Sequence, residues 1–400
     1  MESRRLYVTT WGSPLNWRWA RYKCGWEERE GFSSIACAEA DRYVVYVVDS
    51  ALTAVARRAK ENEKAVETAR KFAERWSGVV SFKERGDSVV LEPLVGERWR
   101  EALAAYVKAV AAAMGHSVEV VATGSVGLYA GRYLYKASPD HILAELVLGL
   151  WRQVKELGEP GGRLEVALDV THGVNFMPTI SLYAVRLVAN VALLYGYDRV
   201  EISVWNATPE DWHYVRLFSD SLDHLHFFWE PRHLASRALY YGAPLHYARL
   251  CETEEPSYST VPKLRYGERL CEVEYGEAPD FRALYERLLA WAGCKELPKT
   301  VQQYRKWHVV RKLNPTARLL VNHELDEIEE LLRRIPLAGC KTLAEVKGFP
   351  PQRAGEPCEE DNRDFVAHAG LLDSYVKICR DGAIVMERKD LERTKRCLEM

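Results

Sequence analysis

The chain has 400 residues, 57 acidic against 55 basic, for a formal charge of -2; hydrophobic residues make up 48% and charged residues 28%. That composition is globular and excludes a disordered chain, a coiled-coil rod and a collagen-like repeat. The balanced charge excludes a protein that grips long nucleic acid by bulk charge alone, while leaving room for a small local basic site.

The first half alternates strand and helix signals. Arg5–Trp11 reads as a strand ending in Gly12-Ser13-Pro14, and Arg42–Asp49 is an apolar run suited to a strand buried on both faces. Helical spacing covers 51–76, a hairpin follows with Gly86-Asp87 at its turn, and 97–114 is an Ala-rich helix. Strands are expected at 117–123, 164–169, 191–195 and 200–206, and helices at 139–157 and 175–188. This order predicts a Rossmann-like, doubly wound, mostly parallel α/β sheet. Beyond about residue 206 helical patterns dominate (219–249, 281–292, 300–312, 325–334), until a small hairpin across Asp381-Gly382. The expected domains are 1–210, a linker or helical middle region at 211–280, and a mainly helical domain at 281–400.

No apolar run reaches the ~18 residues of a membrane span, and the N-terminus lacks a signal-type segment, so a cytoplasmic protein is expected. None of the nine cysteines forms C-x-x-C. Asn and Gln are scarce, 8 and 4 residues, a thermophile-like bias. In hyperthermophiles cysteines pair even in the cytosol, and the sequence leaves the pairing open.

Ligands of open parallel sheets sit outside the carboxyl ends of the strands. Two segments fall there: Thr10-Trp11-Gly12-Ser13, followed by Asn16, and Asp169 through Thr171, His172, Gly173 and Asn175. The second ends a strand in an acid and opens a helix, whose free N–H groups suit phosphate. The plainer reading is that Asp169 and Thr171 cap the helix. Near the C-terminus, Asn362-Arg363-Asp364-Phe365-Val366-Ala367-His368 supplies a histidine for proton transfer and an arginine for phosphate charge. That is a minimum kit for RNA cleavage by the ribose 2′-OH; a helix with one buried histidine and one surface arginine is the alternative. Because positions five apart on an ideal helix diverge by ~140°, two copies across a dimer axis would focus these groups better than one. His224, His226 and His233 read as core or interface histidines rather than metal ligands, and Trp205, Trp212 and Trp229 as core or dimer anchors.

Taken together, TWGSPLNW (10–17), VVYVVDS (44–50), DVTHGVNFMP (169–178) and NRDFVAHAG (362–370) resemble the CRISPR-associated CARF–HEPN ribonucleases of type III systems, the Csx-one-type proteins, especially archaeal ones. The resemblance implies a CARF sensor for cyclic oligoadenylate, with cyclic tetra-adenylate the usual ring, shared by two chains. It places Thr10, Trp11, Gly12, Ser13, Asn16, Asp49, Ser50, Asp169, Thr171, His172, Gly173 and Asn175 at the ring. It implies a HEPN endoribonuclease acting on single-stranded RNA, with Arg363 and His368 catalytic, Asp364 and Asn362 supporting, and no metal or cofactor for catalysis. Asp364 stands where Asn is commoner. The implied assembly is a homodimer, with higher assemblies of dimers left open, and no membrane partner. The middle region is compared with a reduced winged-helix-like segment. A non-catalytic CARF regulator and a CARF domain that also degrades its ring are the alternatives.

Overall fold

The computed structural model describes residues 3–399 apart from 58–61, 95–97, 175, 209–211, 228–230, 252–253, 296, 350–357 and 359–362. Its chain forms two compact units: 1–189, 200–221 and 257–281 in the first, 190–199, 222–256 and 282–400 in the second.

The first unit is built on a six-stranded sheet in the order Tyr214–Leu222, Arg199–Ala207, Arg163–Asp169, Ser3–Trp11, Arg42–Val48, Glu119–Thr123. Ser3–Trp11 lies parallel to both of its neighbours, and Arg42–Val48 parallel to Glu119–Thr123. Val44 to Val48 are all fully buried, so this strand is covered on both faces, as its unbroken apolar run requires. The helices Trp99–Ala112 and Pro139–Lys155 flank the sheet, and Trp99, Tyr106 and Trp151 are fully buried. Smaller sheets are appended. Ala54–Arg57, Ser88–Pro93 and Val80–Arg85 form one, and Ala20–Cys24 pairs with Glu27–Gly31. Cys271–Glu274 runs parallel to Tyr133–Lys136 in a four-stranded sheet. The segment 211–280 is thus divided: 211–221 and 257–280 lie in the first unit, 222–256 in the second.

Four expectations change. The helical pattern expected over 219–249 opens as the end of the strand Tyr214–Leu222, with helices at Leu234–Tyr241 and Pro244–Arg249. The strand expected at 191–195 is the last part of a helix, Met177–Tyr195. A short apolar run such as VALLY fits a buried helix as well as a strand, and periodicity cannot separate them. That helix is 19 residues long and apolar enough to cross a membrane, contrary to the reading of the runs above. Two thirds of its apolar window is buried, as in a core helix, and its residues from Asn190 onward belong to the second unit. The helix expected over 51–76 is the strand Ala54–Arg57 followed by the helix Glu63–Arg75.

The second unit is mainly helical. Leu234–Tyr241, Pro244–Arg249, Phe281–Ala292, Pro315–Arg334 and Arg388–Glu399 are joined by short helices and one small antiparallel sheet. Asn314 caps Pro315–Arg334 by accepting from the Ala317 N–H. The expected C-terminal hairpin forms as Val376–Ile378 against Ile384–Met386. Disulfides join Cys251 to Cys294, Cys340 to Cys379 and Cys358 to Cys397 here, and Cys24 to Cys37 in the first unit. Cys271 is free and buried.

Candidate functional sites: a sheet-edge loop pair and a histidine–glutamate pair

In the first unit, the loops after Ser3–Trp11 and Arg163–Asp169 are locked together. Thr10 Oγ1 donates to the His172 carbonyl, and Gly173 follows at φ +146°. A Cβ on Gly173 would stand 2.8 Å from Thr10 Oγ1, so only glycine fits this approach. Asp169 is fully buried. It accepts from the hydroxyls of Tyr7 and Ser34, and from the Thr171 N–H at 2.8 Å and Oγ1 at 2.6 Å. Thr171 Oγ1 in turn accepts from the Ala207 N–H at 2.8 Å. Asp169 and Thr171 therefore hold the loop to the neighbouring strands and turns.

His172 occupies the middle of an aromatic cluster. Its ring lies 4.7 Å from Trp17, tilted by 33°, and 6.4 Å from Trp212, stacked at 25°, and Nε2 is 3.2 Å from the Tyr22 hydroxyl. Burial lowers the His172 pKa, against a smaller opposing pull from Asp169, so the ring is neutral near pH 7. Trp212, held at φ +53°, is a contributor that sequence reading assigned elsewhere; it arrives from a distant turn with no local signal. Trp11 is wholly buried, and its Nε1 and Ser13 Oγ have no hydrogen-bond partner among the described residues. Asn16 is exposed at the end of the turn Pro14–Asn16. Gly12 sits in ordinary contact with Gly173, 3.7 Å from where its Cβ would be.

Asp49 is buried and committed to Arg100, whose Nη2 lies 3.0 Å from Oδ2 and which also binds Glu145. Ser50 donates its N–H to Ser125 Oγ at 3.0 Å and accepts from that hydroxyl at 2.8 Å. Both residues therefore brace the carboxyl end of the sheet from below the surface. Asn175 lies outside the described residues.

In the second unit, the helix Arg363–Ala367 ends just before His368. Ala369 at φ +49° and Gly370 at φ +72° reverse the chain, and the Gly370 N–H returns to the Phe365 carbonyl at 2.8 Å. His368 thus stands beyond the helix, and the ideal-helix divergence of ~140° does not apply to it. Phe365, fully buried, anchors the helix against His246, with ring centroids 5.0 Å apart. His368 Nδ1 lies 3.0 Å from Oε1 of Glu324, a carboxylate on Pro315–Arg334 that is 4% exposed. Asn362 and the side chains of Arg363 and Asp364 lie outside the described residues. Glu324 was missed by sequence reading, although Val321, Leu325 and Ile328 place it on the buried stripe of its helix. His224 and His226 lie 4.7 Å apart with their rings tilted by 37°, and His224 Nδ1 meets Asp223 at 2.7 Å. Among the described residues no three His, Cys, Asp or Glu side chains gather as metal ligands.

His246 carries a stability prediction. Burial holds its pKa down at about 4, while Nε2 meets Thr394 Oγ1 at 2.8 Å. The unfolded chain takes up a proton near pH 6.5 that the folded chain refuses. Stability is therefore full above pH 6.5 and falls as the pH drops toward 4, by about 3 kcal/mol. Urea midpoints between pH 7 and 4 should show this slope, and His246→Gln should flatten it.

A largely parallel sheet with loops at its carboxyl ends, followed by a helical unit bearing an R-x-x-x-x-H segment, is the two-part arrangement that the family comparisons match. The family description "CRISPR system endoribonuclease Csx1, CARF domain" matches residues 6–209, and "CRISPR system endoribonuclease Csx1, HEPN domain" matches residues 314–389. The chain belongs to this CRISPR-associated CARF–HEPN endoribonuclease family. No curated protein matches it.

Proposed function

We propose that the protein is a cyclic-oligoadenylate-activated endoribonuclease that cleaves single-stranded RNA without a metal, as a homodimer in type III CRISPR defence. The observation that carries this reading is one chain combining a sheet-edge loop pair within the CARF match and a half-exposed histidine on a buried carboxylate within the HEPN match. At the ring site, His172, Gly173, Ser13 and Asn16 would meet phosphates or bases, and Trp17 and Trp212 would limit how His172 moves. At the cleavage site, His368 takes the proton of the ribose 2′-OH as that oxygen attacks the neighbouring phosphorus. The 2′-O–P bond forms and the 5′-O–P bond breaks. The departing 5′-oxygen receives a proton from the protonated His368, or its counterpart in a second copy. Arg363 offsets the charge growing on the phosphate. The products are a 2′,3′-cyclic phosphate and a 5′-OH. Asp364 and Asn362 would support this constellation. The extensive cysteine pairing supports the thermophile reading. The ring-degrading alternative is less favoured, because Trp17 and Trp212 crowd the one histidine that would do it.

The test is cleavage of a labelled single-stranded RNA in excess EDTA, with and without cyclic tetra-adenylate. Ring-dependent cleavage that survives EDTA and yields cyclic-phosphate ends is expected. Loss of cleavage in EDTA, or equal rates without any ring nucleotide, would overturn the mechanism.

A further inference from the structure

We propose that Glu324 is a positioning residue for His368: it fixes the imidazole with Nδ1 protonated and presents Nε2, unprotonated, to the RNA. This inference rests on the cleavage role proposed for His368.

Glu324 lies 44 residues before His368, on a different helix, and its side chain is only 5% exposed. A carboxylate taken that far from water is costly to keep unless a donor meets it. Among the described residues the donor is His368 Nδ1 at 3.0 Å; the neighbouring His323, largely exposed, has its Nδ1 at 3.9 Å, beyond hydrogen-bond reach, and Lys347 acts on Glu324 by its charge. An ionised carboxylate accepts hydrogen bonds and donates none. The proton of a neutral His368 is therefore on Nδ1, and the lone pair is on Nε2. Free imidazole in water shuttles between both tautomers; here the second ring nitrogen is set by the bond the first one makes. The His368 side chain is 44% exposed, so the ring carries this fixed polarity at a surface that substrate can reach. Its other end is held too: the Leu371 N–H bonds to the His368 carbonyl at 2.7 Å, and the turn closes at Gly370, where a Cβ would come within 2.9 Å of Ala243. Backbone and carboxylate together leave the imidazole little freedom, which is what a base needs when a small misplacement slows reaction. When the ring accepts the 2′-OH proton, Glu324 faces the resulting imidazolium and stabilises it without taking the proton.

The arrangement carries a stability signature. A glutamine in place of Glu324 keeps the side-chain volume and a carbonyl that can accept from His368 Nδ1, and it removes the cost of burying a charge. Glu324→Gln should therefore melt at the native temperature or above it. Its amide can offer either a carbonyl or an NH2 group to Nδ1, so the tautomer is no longer enforced. Loss of activity at unchanged stability is the pattern of a positioning role.

The experiment uses the full chain with cyclic tetra-adenylate and a single-stranded RNA. Glu324→Gln should lower kcat by about 10- to 100-fold with KM changed less than twofold. The 15N spectrum of histidine-labelled protein should show the His368 ring with Nδ1 protonated in the native chain and mixed in Glu324→Gln. Glu324→Asp, which retains the charge one methylene further away, should recover part of kcat. Native kcat in Glu324→Gln, or an Nε2-protonated His368 in the native chain, overturns the inference. His368→Ala run alongside separates the two claims: if it cleaves like the native chain, the site itself is wrong, whereas an inactive His368→Ala with a fully active Glu324→Gln rejects only the positioning role.

Discussion

His368→Ala is expected to lower ring-stimulated RNA cleavage by about a thousandfold, within the 10²–10⁴ range of a lost general base, while ring binding stays at the native level. The loops proposed to bind the ring and His368 belong to different compact units, and none of the contacts described for Thr10, His172 and Gly173 involves His368. Truncation also removes the hydrogen-bond partner of Glu324, and a buried carboxylate stripped of its partner destabilises its surroundings, here eased because water can enter where a half-exposed ring stood. His368→Gln answers that concern, since its amide can still donate to Glu324 while it cannot serve as a base near neutral pH. Both variants should be equally inactive, and His368→Gln should melt closer to the native chain. Single-turnover cleavage and calorimetric binding of cyclic tetra-adenylate measure the two halves. Native cleavage in either variant would remove His368 from the chemistry.

The sequence showed more of the sheet than of its contacts. Val44 to Val48 announced a doubly covered strand because burial on both faces leaves no polar position to break the run. The same logic misread Val191–Tyr195, where a run of five is too short to show whether its period is 2 or 3.6. Asp169 and Thr171 were visible as a loop, but their partners Tyr7, Ser34 and Ala207 come from separate strands and turns, so the exhaustion of their bonding capacity was not. Asp49 stood at the ring only through the resemblance; only the fold brings Arg100 and Glu145 together with it. Trp17 lay in the segment TWGSPLNW that the resemblance singled out, whereas Trp212 lay in none of the quoted segments, and only the fold brings both to His172. Glu324 did leave a trace: an acid three residues after Val321 and four before Ile328 lies on the stripe that the helix buries. Acids on such stripes are where a partner should be sought, and here the partner is the very histidine that the HEPN-like segment singled out.

Reduction of the disulfides should be the largest perturbation of stability, and it should be uneven. Three bridges lie in the second unit, closing spans of 43, 39 and 39 residues, while the first unit has one, closing 13. Chain entropy released to the unfolded state grows with the span, about 4 kcal/mol for each long loop and about 3 kcal/mol for the short one. Three long loops together match the whole stability of an ordinary domain, about 5–15 kcal/mol. The first unit, by contrast, keeps its core of Trp11, Trp99, Tyr106 and the central strands whether or not Cys24 and Cys37 are joined. In a strong reductant the single melt should therefore split. The second unit should unfold tens of degrees lower and take RNA cleavage with it, while the first retains ring binding. Cys358 and Cys397 hold the chain five residues before Arg363 to the C-terminal helix, so replacing both by serine should cost more activity than replacing Cys24 and Cys37. Differential scanning calorimetry on protein whose thiols have been counted by alkylation measures this directly. An unsplit melt at the native temperature, with all eight thiols of the four bridges alkylated, would mean that the helical unit holds itself together without its bridges.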